Sequence, residues 1–217
     1  MNRMSLAGRI GDLKKGMAVQ LSADTLQIMQ QATAAPEEAG IAQQSLKTGD
    51  AAPDFALPDI HGTVVKLADL LAKGPVVLSF YRGGWCPFCN LELRALQKAL
   101  PEINTPGASL LAISPELPEK GAATQASDGL SFPVLSDRGN EVARAYGLVF
   151  TLPEELRPIY ESFDIDLPAY NGDESFELPM PATYIVRPDG TVAHAFVDAD
   201  YTQRMEPAEI VEILKTL

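Results

Sequence analysis

Cys86 and Cys89 are the only cysteines among the 217 residues, and they stand in Trp85-Cys-Pro-Phe-Cys89 beside the only tryptophan. Chance would place two cysteines three apart about once in a hundred such chains. At that spacing on a helix the two Cβ atoms lie about 5–6 Å apart, so small adjustments can close a disulfide. The pattern is that of a thiol redox centre. Cys86 is the expected nucleophile, and Cys89, one turn further in, the more buried resolving thiol.

The reactive form is the thiolate. A free thiol with a pKa near 8.5 is only about 3% ionised at pH 7, and one lowered to about 6 is roughly 90% ionised. With Cys86 as N-cap and Pro87 at the first helical position, the amides of Phe88 and Cys89 are expected to point at the sulfur. A shift of that size requires about 3.4 kcal/mol, and a helix terminus supplies at most about 2 kcal/mol. Amide hydrogen bonds or a cation must add the rest, and Arg82 is the nearest candidate cation.

The flanking elements suit this role. Pro75 to Tyr81 is a continuous apolar run rich in β-branched and aromatic residues, as in a strand buried on both faces. Leu91, Leu93, Ala95, Leu96, Ala99 and Leu100 form an apolar helical stripe with Glu92, Arg94, Gln97 and Lys98 between them, ending at Pro101. Ala108 to Ile113 completes a right-handed strand–helix–strand unit.

Strands are expected at 64–67, 76–81, 109–113 and 132–135, helices at 86–100, 117–126 and after Asn140, a hairpin joining 180–186 to 191–197, and a closing helix from Glu206. The fold class is therefore α/β, a mixed central sheet flanked by helices. Residues 1–46 read as a peripheral helical extension in which Ser22 caps a helix running to Thr33 and Pro36 opens a short one. Arg3, Arg9, Lys14 and Lys15 read as a solvated face. Residues 47–217 form the main domain. Within it, 148–179 holds five of the 15 aromatics and eight acids against one base, Arg157. Such a segment folds over something: a lid on the thiol, a dimer contact or a satellite helix.

A formal charge of −12 argues against a nucleic-acid surface. No apolar run approaches a membrane span and the first 30 residues lack a secretory core, so the expected location is the cytoplasm, with no membrane association. No cofactor is called for. A zinc site needs four ligands, and His61 and His194 lie apart without ligand spacing, so no metal is expected.

Ala52-Pro-Asp-Phe-Ala-Leu-Pro-Asp59, Gly62 to Leu67, Phe80 to Cys89, Ala112-Ile-Ser-Pro115, Phe132 to Asp137 and Pro181 to Gly190 together resemble the peroxiredoxin-like branch of the alkyl hydroperoxide reductase and thiol-specific antioxidant (AhpC-TSA) family. The resemblance runs from about residue 47 to the C-terminus. It implies a thioredoxin-like fold in which Cys86 attacks a peroxide, becomes a sulfenic acid, is resolved by Cys89, and is recycled by thioredoxin or a similar donor. The chain departs from the family pattern in having Ser79 and Gly83 where a proline and a threonine or serine precede the nucleophile, and Pro181 where an arginine is supplied by a later strand.

What stands in their place is thioredoxin-like: Trp85 before the cysteine pair, and a Met180-Pro181 step resembling a cis-proline that would leave the Met180 backbone free to pair with substrate. Trp85, Pro87, Met180 and Pro181 are thus the expected substrate pocket, and Arg82 the electrostatic helper. Arg204, following Tyr201, could also replace the lost arginine, but a surface role is its expected fate. Three readings follow: a thiol peroxidase, a thioredoxin-like disulfide reductase using the same pair, and a redox-switched binding module. A homodimer is compatible with this chemistry without being required by it.

Overall fold

The computed structural model describes residues 5–32, 37 and 40–217. Arg3, Thr33 and the helix start expected at Pro36 lie outside the described residues. The strands are β1 (Ala56–Pro58), β2 (Val64–Lys66), β3 (Val76–Phe80), β4 (Ser109–Ser114), β5 (Val134–Ser136), β6 (Val149–Thr151), β7 (Glu177–Pro179), β8 (Ala182–Val186) and β9 (Val192–Val197). The helices are α1 (Leu6–Gln20), α2 (Ala23–Ala32), α3 (Ile41–Gln44), α4 (Leu67–Leu71), α5 (Pro87–Asn104), α6 (Pro118–Asp128), α7 (Glu141–Ala145), α8 (Arg157–Ser162), α9 (Leu167–Asn171) and α10 (Pro207–Leu214).

The central sheet has the order β5-β4-β3-β8-β9, with β3, β4 and β5 parallel and β8 antiparallel to both β3 and β9. This mixed sheet between helical layers is a thioredoxin-like fold. All five residues of β3 are buried, as expected of a run that is apolar but for Ser79. Side chains alternate across it. Val77, with Tyr81 just beyond the strand, joins Cys89, Leu93 and Leu96 of α5 in one core. Val76, Leu78 and Phe80 join Tyr146, Met180 and Tyr184 in the core on the other face.

Helix α5 does not stop at Pro101 but runs through it to Asn104. Pro101 removes one backbone donor on the solvent side, and the last turn is held by the fully buried Ile103 and by a bond from Thr105 Oγ1 to the Pro101 carbonyl at 2.8 Å.

The N-terminal helices are not peripheral. Leu6 and Ile10 of α1 are 2% and 7% exposed and belong to the same core as α5 and α10. Each such side chain contributes about 1.5–3 kcal/mol by burial. The Glu206 carboxylate accepts from the Leu6 and Ala7 backbone N–H groups at 3.1 and 2.8 Å, and Lys14 pairs with Asp200 at 3.3 Å. Helix α2 starts where Ser22 Oγ accepts from the Thr25 N–H at 3.1 Å. Its Ile28, Met29 and Ala32 pack on a third small core made by Leu152, Leu156, Tyr160, Leu167 and Leu178 of the aromatic segment. Strands β6 and β7 pair antiparallel and close that segment at its base. Among the described residues no helix is long and apolar enough to cross a membrane.

Candidate active site

Residues 81–86 carry the chain from β3 into α5. Gly83 has φ +152°, and a Cβ there would lie 2.2 Å from Trp85 Nε1. At Gly84 a Cβ would come within 1.9 Å of Thr124 Oγ1. The turn therefore needs both glycines. Glu116, just beyond β4, holds it in place: its carboxylate accepts from the Gly84 N–H at 2.9 Å and from the Tyr81 hydroxyl at 3.3 Å. Burial pushes this carboxyl up to about 7, against the lowering effect of those two bonds.

The structure explains why threonine is missing from position 83: the Trp85 indole fills its space. Gly83→Thr is expected to lower the unfolding free energy by about 2–4 kcal/mol, through backbone strain and overpacking together. A urea midpoint equal to that of the wild type would contradict this.

Cys86 is the N-cap of α5 and Pro87 its first residue, as the spacing predicts. The sulfur makes no capping hydrogen bond of ordinary geometry, so of the two amides expected to point at it only the Cys89 N–H contributes, and weakly. Burial alone would raise the pKa of this 1% exposed thiol. A hydrogen bond from the Cys89 side chain and then the charges of Arg82 and Arg204 reverse that and bring it down to about 6, the Cys89 backbone N–H ranking after them. Cys89 behaves oppositely. Burial raises it well above the ordinary range, its bond to Cys86 and the Cys86 charge raise it further, and Arg204 opposes both. The pair's proton accordingly sits on Cys89.

A thiolate appearing near pH 6 has a direct test. Alkylation of Cys86 by iodoacetamide should rise about tenfold between pH 5 and pH 7 and then level off, following the ionised fraction. A rate that keeps climbing through pH 8.5 would show an ordinary thiol instead.

Arg82 is itself buried, at 3% exposure, and its Nη2 donates to the Tyr160 hydroxyl. Its guanidinium lies 4.5 Å from the ring centre of Tyr201, 4.8 Å from Trp85 and 5.7 Å from Tyr160. These three rings hold the cation beside Cys86 in place of a carboxylate partner, each face contributing about 0.5–2 kcal/mol. Tyr160 comes from α8, so the aromatic segment supplies part of the site.

Four expectations change. Met180 is buried in the core on the opposite face of the sheet from the cysteines. Its N–H is not free, since it donates to the Leu148 carbonyl at 2.7 Å, and no described peptide bond is cis, Met180–Pro181 included. Neither Met180 nor Pro181 lines the cleft over Cys86. Arg204 is not at the surface: it is 9% exposed, pairs with Glu92 at 2.5 Å and donates from Nη2 to the Cys89 sulfur at 3.4 Å. Glu92, read as a polar-face residue, is 1% exposed. Only Glu92 carries a local signal, standing three residues after Cys89 on the same face of α5, where a carboxylate must find a partner; nothing near Arg204 in sequence marks it as that partner.

A cleft of about 530 Å³ opens over Cys86. Arg82, Trp85, Pro87 and Phe88 line it from the turn and α5, Met17 and Met29 from the N-terminal helices, and Tyr160, Phe163, Asp164, Ile165 and Tyr170 from the aromatic segment, with Tyr201 completing it. Trp85 and Pro87 both line this cleft. A neighbouring groove of about 510 Å³ shares Met17, Met29, Phe88 and Tyr201 without reaching Cys86. Among the described residues no cluster of His, Cys, Asp and Glu could hold a metal ion.

The model of the AhpC/TSA family matches residues 48–195, more than half of the chain and all of the central sheet but the last two residues of β9. The chain belongs to the AhpC/TSA family. A Mycobacterium tuberculosis protein bearing the name Putative peroxiredoxin is 38% identical over 117 residues, covering 52% of this chain and 74% of that one. Peroxiredoxin Bcp of Escherichia coli is 34% identical over 103 residues, covering 48% and 65%. A second mycobacterial protein of the same name is 39% identical, and the match spans 64% of its length. The crystal structure of peroxidoxin BcpB from M. tuberculosis superposes with a TM-score of 0.62 at 26% identity, over 79% of this AhpC/TSA chain and 98% of that one. The Xanthomonas campestris bacterioferritin comigratory protein, studied for alkyl peroxide reduction, shares the fold at TM-score 0.58 and 20% identity, over 79% and 98%.

Proposed function

We propose that this AhpC/TSA protein is a thiol peroxidase that reduces hydrogen peroxide or organic hydroperoxides in the cytoplasm. The Cys86 thiolate attacks the terminal peroxide oxygen; the O–O bond breaks, Cys86 becomes a sulfenic acid, and the departing alkoxide or hydroxide takes up a proton. The Cys89 sulfur then attacks the sulfenic sulfur, forming the Cys86–Cys89 disulfide and releasing water. A thioredoxin-type dithiol reduces that disulfide and is itself oxidised.

The observation that carries this reading is the placement of a low-pKa Cys86 beside two buried guanidiniums, with a protonated Cys89 one turn behind it. Arg82 replaces the strand arginine of the family and offers positive charge to the departing oxygen. The cleft's methionine and aromatic walls favour organic hydroperoxides.

The disulfide-reductase reading keeps the Trp85-Cys-Pro-Phe-Cys89 motif in its favour but loses the open Met180 backbone on which substrate pairing would depend. Turnover of cumene hydroperoxide and of insulin disulfides, each with dithiothreitol as reductant, separates the two. Peroxide consumption with little insulin reduction is expected; the reverse would sink the peroxidase.

A further inference from the structure

We infer that Arg204 is a catalytic residue of the resolving step, holding Cys89 ready to attack oxidised Cys86, and that Glu92 is the positioning residue that aims it. This rests on the peroxidase reading. The geometry is complete in the reduced protein. Arg204 Nε donates to Glu92 Oε2 at 2.5 Å, and its Nη1 donates to the carbonyls of Tyr201 and, at 2.6 Å, Gln203. Nη2 is left to the Cys89 sulfur at 3.4 Å. Side-chain exposure is 1% for Arg204 and 2% for Glu92, so water does not screen the contact.

The loop that brings Arg204 in is built by Asp200, whose Oδ1 accepts from the Thr202 N–H at 2.9 Å and its hydroxyl at 2.6 Å. The same loop places Tyr201 over Arg82. One loop thereby serves the two sulfurs with different cations.

The charges order the two steps. While Cys86 is a thiolate, its negative charge helps to keep the proton on Cys89. Conversion to a neutral sulfenic acid removes that repulsion, and the Arg204 guanidinium remains to stabilise the Cys89 thiolate as it forms. Cys89 gives up its proton, its electron pair forms the S–S bond, and the sulfenic oxygen leaves with a proton as water. The resolving thiol is thus activated by the oxidation it resolves.

Stopped-flow fluorescence of Trp85, with dimedone trapping of sulfenic acid read by mass spectrometry, tests this on the full chain. Removing Arg204 alone would strand a buried carboxylate, so the variant is Arg204→Met with Glu92→Gln, which leaves no unpaired buried charge. Arg204 is also one of the two cations that lower Cys86, so the thiolate fraction of the variant is measured by iodoacetamide alkylation at the same pH, 8.5. The peroxide-dependent phase should fall only in proportion to the Cys86 thiolate measured that way, while the peroxide-independent phase slows about 10- to 100-fold, the worth of a hydrogen bond to a charged group. Its pH profile should move upward and dimedone adduct should accumulate; Arg204→Lys, which keeps the charge, should recover much of the rate. A peroxide-independent phase within twofold of the wild type and an unmoved pH profile would overturn the inference alone. Absence of any peroxide-dependent phase in the wild type would overturn the peroxidase reading, and this inference with it.

Discussion

Arg82→Met is expected to slow oxidation of Cys86 by a hydroperoxide at pH 7 by about 10²–10³-fold, the usual cost of deleting one preorganised group that stabilises developing negative charge. Two effects add. Arg82 is one of the two cations that keep Cys86 ionised, so its loss moves the thiol back toward the ordinary range and depletes the thiolate. It is also the buried cation at the cleft wall, where the departing oxygen gathers charge. Methionine fills the space between Trp85, Tyr160 and Tyr201 without burying a new charge, and the Tyr160 hydroxyl loses its donor at a cost of about 1–3 kcal/mol. The two effects separate by pH: raising it to 9 should restore the thiolate share of the loss and leave the remainder. Oxidation within threefold of wild type at pH 7 would remove Arg82 from the mechanism.

Cys89→Ser is expected to abolish turnover while leaving the first oxidation of Cys86 nearly intact. Serine is close to isosteric and keeps a donor for Cys86, so the thiolate should persist. Without the second sulfur the sulfenic acid has no intramolecular exit. One equivalent of peroxide should be consumed quickly, a single dimedone adduct should form on Cys86, and excess peroxide should drive it to the sulfinic acid. Sustained turnover of Cys89→Ser with dithiothreitol at the wild-type rate would mean that an external thiol resolves Cys86 and that the paired cysteines have another purpose.

Much of this arrangement is legible along the chain because its signals are local. The apolar run 75–81, Pro87 after Cys86 and the stripe on α5 give the strand, the turn and the helix, and Arg82 lies four residues from the thiol it serves. What escaped depends on contacts far apart in sequence. Arg204 follows an acidic loop and reads as solvated until Glu92, 112 positions earlier, is seen to face it from inside the core. Leu6, Ile10, Leu13 and Met17 do recur at helical spacing, yet only the partners contributed by α5 and α10 make that stripe a core face. The Met180-Pro181 step has the letters of a substrate-pairing site, but pairing of β6 with β7 brings the Leu148 carbonyl to the Met180 N–H and closes it.

Reduction of a peroxide by Cys86 should be visible at the lone tryptophan, whose ring lies 5.4 Å from that of Tyr160 and beneath the Arg82 cation. Fully reduced protein should be mixed with cumene hydroperoxide at pH 7 in a stopped-flow fluorimeter, with Cys86→Ser as the blank. An exponential change whose rate rises linearly with peroxide, orders of magnitude faster than a free thiolate reacts and absent from the blank, is the predicted result. Reaction no faster than that of a free thiol would exclude peroxidase chemistry at Cys86 and leave the cysteine pair to disulfide exchange.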